Sequence, residues 1–133
     1  MSAALYIVLD RKIPGADTFV NGKSLAKHND KLEQMARELG VTPLMSFFSI
    51  SKEELLAVEE EFGIDLSEEA KSRNQEKWFS ADEGLRTVNA LLKNLNKSKL
   101  VDAPHIEADL REFLRVLELA KANGIRWHLA VDY

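Results

Sequence analysis

Two apolar runs of strand-forming residues stand at opposite ends of this chain, and little between them can build a sheet. Residues 3–9 read AALYIVL and residues 125–133 read IRWHLAVDY. The first is closed by Asp10-Arg11-Lys12 and the second is preceded by the turn pair Asn123-Gly124. Both runs are short and rich in residues that fit a pleated, buried surface. A strand must pair its backbone N–H and C=O groups. The two runs are therefore expected in one sheet, covered by helices with a single apolar stripe each. A further strand is expected at about 44–50, where PLMSFFSI places Phe47, Phe48 and Ile50 behind Pro43. The expected class is α+β (or α/β): a small, roughly three-stranded sheet including both terminal strands, packed with about four helices, in one domain over 1–133.

The helices follow from apolar spacing and stop signals. Leu25, Leu32, Met35, Ala36 and Leu39 predict a helix over about 22–39, capped by Asn21 or Ser24 and ended by Gly40. Ser51 and Glu54 have capping-box spacing before a second helix over about 52–62. Residues 67–77 are polar and read as an exposed loop or short surface helix. Ser80 and Glu83 repeat the S-x-x-E spacing ahead of Leu85, Val88, Leu91, Leu92 and Leu95. Pro104 suits the first turn of a last helix carrying Ile106, Leu110, Phe113, Leu114 and Leu117. In the closing strand Trp127, Leu129 and Val131 share one face, and Arg126, His128 and Ala130 the other.

Gly84 stands out within KWFSADEGL. With Ser80 as N-cap it falls inside the helix, where glycine costs about 1 kcal/mol relative to alanine. Close packing compensates such a cost, with another backbone, or the Trp78 or Phe79 ring, expected against the bare turn. An anion at the helix N-terminus is the sharper alternative. Asp82 and Glu83 already bring negative charge to that turn, so packing is preferred.

Composition removes several function classes. The 133 residues contain no cysteine, which excludes disulfides, thiolate metal sites and cysteine nucleophiles and fits a cytoplasmic location. The N-terminal apolar run lacks the basic flank and length of a secretory leader, and no stretch approaches a membrane span. A net charge of −4 argues against nucleic acid or anionic lipid as a broad electrostatic partner.

The motifs are sparse. Gly22-Lys23-Ser24 resembles the end of a phosphate-binding loop, but Asp17 stands where that motif needs its first glycine. His28, His105 and His128 show no ligand spacing, so no metal and no cofactor are expected. The acid clusters Glu59-Glu60-Glu61, Glu68-Glu69 and Asp82-Glu83 fall on polar helix faces or near helix starts, where solvation and the helix dipole account for them.

The blocks DTFVNGKSLA, PLMSFFS, WFSADEGL and RWHLAVDY, spread over nearly the whole chain, resemble small bacterial proteins of unassigned function, and the order of a Trp, a Leu-rich helix, a long helix and a terminal strand is more loosely similar to the YfbM-like domains. The resemblance implies a cytoplasmic α/β domain and no particular chemistry. Two functional readings stand side by side. The first is a non-catalytic interaction or regulatory domain, a class that includes toxin-immunity proteins, with a protein as partner. The second is a small enzyme or ligand binder with a polar cleft near the terminal strands, drawing on Tyr6, Asp10, Trp78, His128, Asp132 and Tyr133. A deep pocket with converging polar groups would favour the second, and a flat exposed patch the first.

Overall fold

The two apolar runs do meet. In the computed structural model, which describes residues 3–49, 77–97, 100 and 102–132, β1 (Ala4–Leu9) pairs antiparallel with β2 (Trp127–Asp132). Ala4 lies opposite Asp132 and Leu9 opposite Trp127. The described elements between them are α1 (Lys23–Lys27), α2 (Asn29–Leu39), a 3-10 helix (Leu44–Phe47), α3 (Ala81–Leu95) and α4 (Ala103–Ala122). This is an α+β arrangement. The helix expected at 52–62 and the segment 67–76 lie outside the described residues.

The sheet has two strands among the described residues, not three. The run expected as a strand at 44–50 opens instead as the 3-10 helix, whose Leu44 and Phe47 are buried. Pro43 starts the turn, and among the described residues the segment then pairs with β2 by a single parallel bridge, Phe48 to Leu129, with Ser49 N–H donating to Leu129 O at 3.1 Å. Phe79 makes a second bridge, antiparallel to Trp127, with N–H···O distances of 2.8 and 2.9 Å. β2 is thus flanked by β1 on one side and by single residues from two separate segments on the other. Its Trp127, His128, Leu129 and Ala130 are all buried, which a half-solvated strand would not allow.

Leu5, Ile7, Trp127 and Leu129 join Leu85, Val88, Leu91, Ile106, Leu110, Phe113 and Leu117 in the main core. The stripes read for α3 and α4 are therefore their buried faces, with Leu92 and Leu114 part-buried, whereas Leu39, expected on the stripe of the first helix, is exposed. Ser80 caps α3 as its spacing requires, its Oγ accepting the Glu83 N–H at 3.2 Å. Pro104 sits in the first turn of α4, and Gly40, at φ 74°, closes α2.

Gly84 is a packing glycine, but its partner is Trp127 rather than Trp78 or Phe79. A Cβ at 84 would lie 2.7 Å from Trp127 Cε2 and 2.9 Å from Nε1. The indole Nε1–H donates to Ser80 O at 3.0 Å, and the ring stacks on Phe47 with centroids 4.9 Å apart. Phe47 in turn meets Phe79 edge-on at 5.1 Å. The last strand is thereby fastened to the cap and first turn of α3.

The helix expected over 22–39 is broken at His28. Residue 28 ends α1 and precedes α2 at φ −108° and ψ 22°, outside helical geometry. The two pieces serve different neighbours: α1 rests on β1 and α4, and α2 on α3 and the 3-10 helix.

Candidate functional site

The residues proposed around the terminal strands are spread along the sheet. Tyr6, His128 and Asp132 occupy the same face, since Tyr6 pairs with Ala130, Val8 with His128 and Ala4 with Asp132. The Trp78 ring lies 4.8 Å from the His128 ring on that side. Asp10, however, is at the far end of the ribbon from Asp132, where it holds Arg126 by an ion pair at 3.2 Å. Six strand residues at about 3.3 Å each separate such ends. His128, expected beside a polar cleft, is fully buried, and its Nδ1 lies 3.1 Å from Leu129 O. Its burial follows from the central position of β2. Tyr133 lies outside the described residues.

Polar side chains converge elsewhere, along one flank of α4. Asp102, His105, Asp109, Glu112 and Arg115 recur there at spacings of three and four, so they follow one side of the helix. The chain from Asp17 to His28 is laid antiparallel against this flank by three fastenings. Arg115 Nη1 donates to Asp17 O at 2.6 Å. Ser24 and Leu25 donate their backbone N–H groups to Asp109 Oδ2 at 3.0 and 3.4 Å. His28 Nε2 and Asp102 Oδ2 are hydrogen-bonded at 3.1 Å.

The middle fastening explains Gly22-Lys23-Ser24. Neither Asn21 nor Ser24 caps α1 with its side chain; the cap position is Gly22, and the side-chain acceptor for the first N–H groups is Asp109 of α4. A carboxylate thus occupies the place a phosphate would take. Gly22 itself is required by β1: it exchanges N–H···O bonds with Leu5 at 2.8 and 3.2 Å, and a Cβ there would lie 2.8 Å from Leu5 O. Burial pushes the Asp109 carboxyl above its ordinary range, opposed by the two N–H donors.

The third fastening is the more unusual. Asp102 precedes α4 with φ 66°, the one positive-φ residue other than glycine among those described. Aspartate tolerates this conformation better than most residues, at a cost of about 1 kcal/mol. Its side chain makes no cap bond to α4 but turns to His28, and Lys27 Nζ approaches at 3.4 Å. His28 first, then Lys27, hold its carboxyl below the ordinary aspartate range. His105 Nδ1 stands 3.9 Å away on the other oxygen.

These groups border an open cleft of about 540 Å³ lined by Ala3, Lys23, Ser24, Ala26, Lys27, Asp102 and His105. Asp109 faces inward to backbone donors and Asp102 faces His28 and Lys27. Lys27 and His105, although each within 4 Å of Asp102, keep 71% and 77% of their side chains exposed, and Lys23 is exposed. The overall charge of −4 hides this, because residues 50–76 contain nine Asp and Glu against three Lys and Arg. Among the described residues no hydrogen bond links the Ser24 hydroxyl to His28 or His105. Among the described residues no three His, Asp or Glu side chains are grouped to hold a metal ion, and no helix is long and apolar enough to cross a membrane.

Sequence reasoning weighed His28 and His105 separately and passed over Asp102 and Asp109. The pairs Lys27-His28 and Asp102-x-x-His105 were visible, but nothing local shows that α1 and the start of α4 are neighbours. Comparison with family models, curated proteins and solved structures finds no match to this chain.

Proposed function

We propose that this chain is a non-catalytic interaction domain that receives an anionic group of a protein partner at the α1–α4 cleft. The observation that carries this reading is the sorting of charge at the cleft: Asp109 is engaged by two backbone N–H groups and Asp102 by His28, Lys27 and His105, while the side chains of Lys23, Lys27 and His105 stay largely exposed at the cleft. The cleft is open rather than enclosed, which suits a partner's surface better than a small substrate that must be stripped of water. Local charge dominates such contacts, because at physiological salt charges more than about 8 Å away are largely screened.

The test is a titration of the isotopically labelled protein with poly-glutamate, followed by amide chemical shifts. Shifts confined to residues 23–28 and 102–105, lost at high salt and in the Lys23→Ala/Lys27→Ala variant, are the expected result. Shifts that ignore both lysines, or none at all, would remove the reading.

A further inference from the structure

We infer, on the reading of the cleft just given, that protonation of His105 switches on the cleft's hold on an anionic group. The α1–α4 site is thereby regulated by pH.

Three side chains compete for one carboxylate. Asp102 Oδ2 holds His28 Nε2 at 3.1 Å and Lys27 Nζ at 3.4 Å. His105 Nδ1 stands 3.9 Å from Oδ1, the oxygen that neither of the others takes. The Asp102 side chain makes no cap bond to α4, so its carboxylate is left to these three. The two rings are differently placed. His28 has only 14% of its side chain exposed, against 77% for His105. His105 lines the cleft, so its charge is the one an arriving group meets.

The charge here is balanced until a proton arrives. Lys23 and Lys27 stand against Asp102 in the lining and Asp109 behind it, where the Ser24 and Leu25 N–H groups end on Oδ2. Two cations and two carboxylates cancel while both imidazoles are neutral. Among the described residues no hydrogen bond or ion pair brings a charged group of α2 or β1 to either ring.

Imidazole is the side chain whose charge ordinarily changes between about pH 5 and 8. A proton on His105 leaves the cleft with a net positive charge. It also gives Asp102 a cation on Oδ1, which loosens the claim of Asp102 on Lys27 and turns that lysine toward the anion. The protonated form binds the anion better, so affinity rises as pH falls through the imidazole range.

Poly-glutamate is the probe, because carboxylates with an ordinary pKa of about 4.3 stay ionised over that range. Amide shifts are followed at about pH 6 and about pH 8, at one ionic strength, for wild type, His105→Gln and His105→Lys, each first shown to melt like wild type. Wild type should bind about fivefold more tightly at the lower pH. His105→Gln should bind weakly at both values, and His105→Lys, which keeps its charge, tightly at both. Binding that is equal at the two values yet dependent on Lys23 and Lys27 would overturn this inference and leave the cleft reading standing. So would a pH dependence that survives in His105→Gln. Binding that ignores both lysines, or none at either pH, would overturn both.

Discussion

The indole of Trp127 lies across the bare turn at Gly84, close enough that a Cβ on residue 84 would sit 2.7 Å from Cε2. Gly84→Ala should therefore destabilise the protein, by about 1–3 kcal/mol through overpacking, even though alanine is the better helix former by about 1 kcal/mol. The ring is wedged between Gly84 and Phe47 and cannot swing away cheaply. Urea unfolding followed by tryptophan fluorescence measures the change. An alanine variant as stable as wild type would mean the ring is free to shift.

Trp127→Ala should cost about 3–5 kcal/mol, the usual range for emptying a buried aromatic site. Trp127→Phe keeps a ring but leaves Ser80 O without the indole N–H, and should cost less. A loss in the phenylalanine variant equal to that in the alanine variant would place the stability in the hydrogen bond rather than in packing.

Asp109 offers a cap from across the structure. Asp109→Ala leaves the Ser24 and Leu25 N–H groups without their acceptor and should cost about 0.5–2 kcal/mol, as loss of a helix cap does. Amide exchange at Ser24 and Leu25 should quicken more than exchange in α3. Mg-ATP should leave the melting temperature of wild type unchanged, because the carboxylate already holds the place of a phosphate. Stabilisation by Mg-ATP would show that Asp109 can be displaced.

Asp102, the cap residue ahead of α4, and Asp109, within α4, pull stability in opposite directions with pH. Asp102 is held below its ordinary value of 3.8, so its contribution is present above that value and is lost as pH falls through the lowered range. Asp109 is held above 3.8, so the fold favours its protonated form, and that contribution fades as pH rises through the raised range. Asp102→Asn should flatten the loss of stability on acidification, and Asp109→Asn should steepen it. Urea midpoints between about pH 2.5 and 7 compare the slopes; slopes unchanged in both variants would show that neither group is linked to folding.

What could be read beforehand was whatever short-range pattern dictates. The α3 and α4 stripes, the Ser80 cap, the Gly40 stop and the meeting of AALYIVL with the closing run all follow from local spacing or from the need of a strand for a partner. The errors share one cause. PLMSFFSI looks like a strand, yet Leu44 and Phe47 bury themselves more effectively on one side of a 3-10 turn. His28, where the helix breaks, is hydrogen-bonded to Asp102, and the first N–H groups of α1 bond to Asp109, both partners far away in sequence. The cleft was illegible for the same reason: each of its residues is ordinary until α4 is laid against α1.

The pairing of Ala4 with Asp132 and Leu9 with Trp127 has a consequence in time. A ribosome adds about 5–20 residues per second, so β1 waits on the order of ten seconds after it is made before any β2 exists to receive its hydrogen bonds. Through that interval Leu5 and Ile7 belong to an unfinished sheet edge, with Gly22 the nearest backbone able to bridge Leu5. Nascent chains of this protein should accordingly be most vulnerable to wrong partners in the interval when α4 has emerged and the six residues of β2 have not.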